Sequence, residues 1–103
     1  MEMKEKKNNL KRKICIVTGA TSGIGLETAR ALAEQGSTVI LVGRERRKTE
    51  AVVERIKQET ANPSVEFLLA DLSIQTQVRH LAEEFTSRYS RLDALVNNVG
   101  AIF

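Results

Sequence analysis

A glycine-rich loop, Thr18-Gly19-Ala20-Thr21-Ser22-Gly23-Ile24-Gly25, follows the first apolar run of the chain. Its glycines have the spacing Gly-x3-Gly-x-Gly, and a helical pattern begins within it. An anion bound there would meet backbone N–H groups and the positive end of a helix dipole. The loop lacks the Lys-Ser/Thr pair of a nucleoside triphosphatase loop, which disfavours that class. Its place after a first strand favours a dinucleotide, and the alternative is a tight turn without a ligand.

The second apolar run ends at Val42, and Gly43, Arg44 and further basic residues follow it. NAD-specific dinucleotide folds place a carboxylate at this point to accept from the ribose 2′-hydroxyl. Arg44 instead offers a planar, permanently charged group to a 2′-phosphate, and the Ser22 hydroxyl would add a donor. Further cations at the start of the next helix are unfavourable unless an anion lies nearby: Arg46, Arg47 and Lys48. The sequence predicts NADP(H), the alternative being an exposed arginine without a ligand.

The elements that would position these residues alternate along the chain. Apolar runs over 14–17 and 38–42 and the further segments 65–70 and 92–96 predict four strands, and continuous apolar runs are typical of a parallel sheet buried on both faces. Helical patterns lie between them, the first over about 23–35, the second ending near Asn62-Pro63-Ser64, and the third with Ser73 as its N-cap. The order β-α-β-α-β-α-β predicts an α/β fold, the first part of a doubly wound parallel sheet.

Three motifs in the expected order resemble those of the short-chain dehydrogenase/reductase family. Thr18–Gly25 resembles the family's cofactor loop, and Asp71-Leu72 resembles its adenine-site element. Asn97-Asn98-Val99-Gly100 resembles its Asn-Asn-Ala-Gly motif, with Val99 where alanine is usual. The chain resembles most the retinol-dehydrogenase-like branch. The resemblance implies a Rossmann-type fold, present in part, and hydride transfer between the nicotinamide of NADP(H) and a carbonyl or alcohol.

The resemblance also implies roles for individual residues. Asp71 would contact the adenine amino group with Leu72 against the ring, although a turn or helix-capping aspartate is the alternative reading. Asn98 and Gly100 would line the ribose, whereas Asn97 would brace the sheet through its amide. No metal site is expected. The expected cofactor-binding residues are Gly19, Thr21, Ser22, Gly23, Ile24, Gly25, Arg44, Asp71, Leu72, Asn98 and Gly100.

The family's catalytic groups have no counterpart in this sequence. By resemblance they are a serine that orients the substrate oxygen and a Tyr-x3-Lys pair, in which lysine lowers the pKa of the tyrosine acid/base. The only tyrosine, Tyr89, precedes Ser90-Arg91-Leu92-Asp93, and no lysine follows Lys57. We therefore expect residues 13–103 to be the N-terminal portion of a dinucleotide-binding domain, inactive alone, whose small-molecule substrate binds only a full-length form.

An alternative function is that of a catalytically inactive nucleotide-binding or interaction module. The predicted fourth strand, over 92–96, would present an open edge that invites pairing. It would pair with a C-terminal half or associate with a second copy.

Composition and charge limit the remaining classes. The 103 residues, 42% of them hydrophobic, suffice for one domain, and no apolar run is long enough for a transmembrane helix. The formal net charge of +3 arises in residues 1–12, predicted as a basic flexible tail, with attachment to an anionic membrane or nucleic acid as the alternative. Aromatic residues do not interleave with basic ones, which disfavours nucleic acid as a partner. The single cysteine and the lack of an early apolar leader predict a cytoplasmic protein.

Three side chains that invite a chemical role are expected to be structural. His80 would face solvent on the third helix, and Cys15 would act as a small hydrophobe inside a strand. Tyr89 continues the apolar stripe of the third helix and is expected to pack there.

Overall fold

The structure, a computed structural model, describes residues 11–21 and 23–98. Strands and helices alternate in the predicted order, which confirms the α/β fold class. Their bounds are β1 Ile14–Thr18, α1 Gly23–Glu34, β2 Thr38–Gly43, α2 Arg46–Thr60, β3 Val65–Leu69, α3 Gln75–Arg88 and β4 Ala94–Asn97. Within the described residues, no helix is long and apolar enough to cross a membrane.

The four strands form one parallel sheet in the order β3-β2-β1-β4. β1 lies between β2 and β4, so the chain moves to one side of β1 first and to its other side after β3. Thr18, at the carboxyl end of β1, is in register with Val42 of β2 and Asn97 of β4. In open α/β sheets this reversal of strand order creates a crevice beyond the carboxyl ends of the strands.

Alternating strand residues fill two cores, one on each face of the sheet. Val17, Leu41 and Val65 contribute to the core that α1 and α2 cover, where Ala29 and Ile56 are buried. The opposite core includes four strand residues and Phe85 of α3: Ile16, Ile40, Val42 and Leu68. Burial on both faces explains why the central strands β1 and β2 are continuous apolar runs, whereas β3 and β4, at the edges of the described sheet, are more exposed.

A glycine and a buried asparagine shape the connections between the helix ends and the sheet. Gly36, with φ of +90°, ends α1 in a conformation that side chains disfavour. The buried Asn62 amide then donates to the carbonyls of Ala33 and Ser37, at 2.9 and 2.8 Å, while its oxygen accepts from the Ser64 N–H. One side chain thus links the C-terminal ends of α1 and α2 to the start of β2.

The third helix does not begin with the predicted cap. Its N-cap is Ile74, which makes no capping hydrogen bond through its side chain. The Ser73 hydroxyl donates at 2.7 Å to the Asp71 carboxylate, and the Ser73 N–H donates to the same oxygen at 3.0 Å. A charged acceptor forms a stronger hydrogen bond than a neutral one, so the Ser73 hydroxyl bonds to the Asp71 carboxylate and does not cap the helix. The prediction of Ser73 as an N-cap is therefore wrong.

The fourth strand begins at Ala94, later than the predicted start at Leu92. Before the strand starts, the Asp93 N–H donates to the Ile14 carbonyl at 2.8 Å. The Asp93 carboxylate accepts from the Ile14 N–H, also at 2.8 Å, so a side chain takes the place of a backbone acceptor in β4. The Ile14 N–H, followed by the bonded Arg91 guanidinium, lowers the pKa of Asp93. Leu92 remains 41% exposed in the preceding loop.

An apolar groove of about 580 Å³ runs between α3 and β4. β4 pairs with β1 along one side, and no other described strand pairs with its outer side. Leu95 of this edge strand is 59% exposed. The groove is lined largely by hydrophobic side chains, among them Ile16, Val78, Leu81, Phe85, Leu92 and Leu95.

Candidate functional site

A pocket of about 370 Å³ opens at the carboxyl ends of β1, β2 and β3. It brings together five residues that the sequence predicts to bind a cofactor: Gly19, Thr21, Arg44, Asp71 and Leu72. Val42, Gly43, Ala70 and Ser73 complete its lining. The apolar groove beside β4 is larger, but its lining includes one charged side chain, Arg91, so it offers little to a phosphorylated ligand.

The glycine-rich loop lets α1 approach β1 closely. A Cβ added at Gly25 would overlap the carbonyl oxygen of Gly19, and Gly25 itself is buried. Gly19 has φ of +60°, and a Cβ there would lie 3.2 Å from the carbonyl carbon and oxygen of Asn98. The first turn of α1 starts at Gly23, so its N–H groups lack partners within the helix and suit an anion.

Arg44 is exposed at the end of β2, where it lines the pocket and a smaller adjoining cleft that Lys48 also lines. Gly43 allows this end of β2 to lie close to α2, since a Cβ there would overlap the Thr49 hydroxyl oxygen. Arg46 lies with its guanidinium 5.6 Å from the centre of the Phe67 ring, so it packs against β3. Arg44 and Lys48 are therefore the cations that line the pocket and its adjoining cleft.

Asp71 combines the two readings that the sequence left open. It is a turn residue, since its carboxylate accepts from the Ser73 hydroxyl and N–H, and it also lines the pocket. The Ser73 hydroxyl, then the Ser73 N–H, lower the pKa of Asp71, and the nearby positive charge of Arg44 adds to this. The pocket thus holds a cation and an ionised carboxylate on neighbouring walls.

Thr18 ties the carboxyl end of β1 to the residues after β4. Its hydroxyl donates to the Asn97 side-chain oxygen at 2.9 Å and accepts from the Asn98 N–H at 3.0 Å. The Asn98 side-chain amide donates to the Thr18 carbonyl at 3.3 Å. Asn97 therefore braces the sheet, as expected, and Asn98 lies against the loop without lining the described pocket. No role of its own was expected for Thr18, although a hydroxyl at the end of β1 is the available signal.

The remaining predicted contacts lie elsewhere or outside the described residues. Gly23 is exposed and Ile24 is 78% exposed at the start of α1, and neither lines the pocket. Ser22, Val99 and Gly100 fall outside the residues that the structure describes.

The side chains expected to be structural occupy structural positions. His80 is exposed on α3, and Cys15 is buried in β1, where burial raises the pKa of its thiol. The Tyr89 ring stacks on Phe85, with ring centres 5.1 Å apart. Across residues 11–21 and 23–98, no group of three or more potential ligand side chains is arranged to hold a metal ion.

A family model described as short chain dehydrogenase matches residues 13–102 of this chain. The chain belongs to this family. Human polyprenol dehydrogenase is 42% identical over 90 residues, which cover 87% of this chain and 27% of the relative. Mouse retinol dehydrogenase 12 is 38% identical over 90 residues, covering 87% of this chain and 28% of the relative, which agrees with the predicted branch.

Among solved structures, a putative short chain dehydrogenase from Escherichia coli CFT073 in complex with NADPH resembles this chain. The TM-score is 0.84 at 35% identity, over 92% of this chain and 40% of that structure. The Rossmann-type fold is thereby confirmed. This chain spans less than a third of the two relatives named above and about two fifths of that structure.

Proposed function

We propose that this chain binds NADP(H) as the cofactor-binding part of an oxidoreductase. In the complete enzyme a hydride would pass between the nicotinamide and a carbonyl or alcohol substrate, which is the chemistry that the cofactor supplies. The observation that carries the proposal is the meeting of the glycine-rich loop, Arg44 and Asp71 around one pocket. The fit is supported by Gly25 and Gly19, since an added Cβ would overlap the Gly19 carbonyl at the first position and press on the Asn98 backbone at the second.

The charge arrangement supports NADP(H) over NAD(H). Arg44 stands at the end of β2, where an NAD-specific fold would place a carboxylate for the ribose 2′-hydroxyl. A guanidinium forms paired, charge-assisted hydrogen bonds with a phosphate, so a 2′-phosphate would suit this position. Lys48 lines the adjoining cleft and would add to the attraction.

The remaining contacts follow the family motifs. Asp71 and Leu72 would receive the adenine, and the N–H groups at the start of α1 would face the pyrophosphate. Asn98, held by Thr18, would lie toward the nicotinamide ribose. Loop residues Thr21, Ser22, Gly23 and Ile24, and Gly100 after β4, would complete the site.

Catalysis would require residues that this sequence does not contain. Tyr89 is its only tyrosine, it lacks a lysine four residues later, and it packs on Phe85 with its hydroxyl donating to Glu66. We therefore expect the 103-residue chain to hold the cofactor without reducing a carbonyl.

Binding and turnover can be measured separately on the purified chain. NADPH fluorescence should change saturably on titration with protein, whereas the reduced-nicotinamide absorbance should stay constant when a panel of aldehydes and ketones is added. Absence of binding would contradict the cofactor proposal. A carbonyl-dependent fall in absorbance would instead contradict the assignment of catalysis to residues outside this chain.

A second candidate function is that of an interaction module. The observation that favours it is the exposed outer edge of β4 beside the apolar groove, with Leu95 59% exposed. Such an edge presents backbone donors and acceptors to another chain, and the groove offers apolar surface next to them. We propose that it serves association, either with a C-terminal half of the enzyme or with a second copy.

A further inference from the structure

Gln77 reaches back from the first turn of α3 to the pocket wall. The N-cap of this helix is Ile74, so Gln77 occupies the third helical position. A glutamine there ordinarily returns to the N–H of the N-cap in a capping box. Here its side-chain oxygen accepts from the Asp71 N–H at 2.6 Å, six residues before Gln77 and three before the N-cap. Gln77 thus closes a loop that begins with a pocket residue.

The bond holds Asp71 at a point where the strand no longer does. β3 ends at Leu69, and the N–H of Ala70 still donates to the Gly43 carbonyl at 2.9 Å. The next N–H, that of Asp71, is partly buried and depends on Gln77. The Asp71 carbonyl in turn accepts from the Ile74 N–H at 3.0 Å. Without Gln77, the partly buried Asp71 N–H would lose its acceptor. The Asp71 backbone would then keep only the hydrogen bond from the Ile74 N–H to its carbonyl.

The same backbone joins the two charged walls of the pocket. Ala70 is bonded to Gly43, which directly precedes Arg44, so a shift of the 70–71 backbone changes the spacing between Arg44 and Asp71. The two side chains interact electrostatically, since the charge of Arg44 helps to lower the pKa of Asp71. The pocket's recognition of an adenosine with a 2′-phosphate would depend on that spacing.

We propose that Gln77 is a positioning residue for the adenosine side of the cofactor site, an inference that rests on the proposed NADP(H) binding. It lines no part of the pocket and acts through the Asp71 backbone. It therefore sets the affinity for the 2′-phosphoadenosine half of the ligand.

The test compares Gln77→Met with Gln75→Met in the full chain. Methionine has a similar length but no comparable acceptor, and Gln75 is an exposed glutamine at the start of the same helix. We expect Gln77→Met to weaken NADPH and adenosine 2′,5′-bisphosphate by the same factor, about tenfold, the effect of an unsatisfied donor. Gln75→Met should leave both affinities within about twofold of the unsubstituted chain, well below the effect of a lost hydrogen bond.

The outcomes separate this inference from the proposed function. If the unsubstituted chain binds neither ligand, the proposed function fails and the inference fails with it. If it binds both and Gln77→Met binds them equally well, or loses NADPH affinity alone, only the positioning role is overturned. Amide hydrogen exchange on the unsubstituted chain gives a check without a variant, since the Asp71 N–H should be protected and free exchange there would refute the bond.

Discussion

At the scale of single residues, the site depends on charges at strand ends. Arg44 and Asp71 follow the ends of two neighbouring strands, β2 and β3, so the parallel sheet places them on one edge. Sequence position alone predicts that proximity, because the carboxyl ends of parallel strands meet at the same side of a sheet. The pairing of Asp71 with Ser73 was less predictable, since serine before a helix also suits an N-cap.

Replacing Arg44 with alanine should weaken NADP(H) much more than NAD(H). A charge-assisted hydrogen bond to a phosphate contributes about 1.5–3 kcal/mol, so the NADPH dissociation constant should rise roughly ten- to hundredfold. The NADH dissociation constant should change by less than about threefold, because the neutral 2′-hydroxyl of NADH forms no ion pair with Arg44. Titration of both cofactors by fluorescence measures the difference.

Arg79→Ala is the matched control for the loss of one positive charge. Arg79 is exposed on α3 and lines no part of the described pocket. It should leave the preference for NADPH unchanged. Equal losses of NADPH and NADH affinity in Arg44→Ala would refute a 2′-phosphate contact.

At the scale of elements, hydrophobic periodicity predicts most of the fold. The strands β1, β2 and β3 match their apolar runs to within about one residue, which is the ordinary precision of such boundaries. The errors occur where a side chain makes a specific hydrogen bond. Asp93 bonds to Ile14 and so delays β4, and the Asp71 carboxylate accepts from Ser73, which therefore does not cap α3. A periodic pattern carries no information about such partners, since it records only which face of an element is buried.

Tyr89, the C-cap of α3, provides a pH-dependent link between that helix and β3. Its hydroxyl donates to the Glu66 carboxylate at 2.7 Å. Burial, then this carboxylate, raises the pKa of Tyr89 from 10.0 to about 12. Because the folded-state pKa is the higher, the contribution of Tyr89 to stability is complete below pH 10 and is lost as the pH rises toward 12.

Since Tyr89 is the only tyrosine and tryptophan is absent, phenolate absorbance reports on this residue alone. Its midpoint should lie near pH 12 in the folded chain and near 10 in denaturant. Glu66→Gln should lower the folded-state midpoint only in part, because burial remains. A midpoint near 10 while the helical circular dichroism is retained would contradict the predicted link.

At the scale of the whole molecule, the strand order β3-β2-β1-β4 makes β4 an edge strand of the described sheet. β3 at the other edge carries charged neighbours, since Arg88 lies 3.4 Å from Glu66. β4 has the apolar groove beside it instead. Charged edges resist pairing and apolar edges favour it, so the two sides of the sheet differ in their tendency to associate.

We expect the purified chain to associate through the β4 edge as its concentration rises, and Leu95→Lys to shift it toward monomer. Lysine keeps the strand but places a hydrated charge where a second chain would pack, a common protection of natural sheet edges. Sedimentation velocity over a range of concentrations measures the effect. Ile24→Lys is the matched control, because Ile24 is 78% exposed on α1 and lies outside the groove. A monomer at every concentration, or equal dissociation by both variants, would exclude self-association through β4.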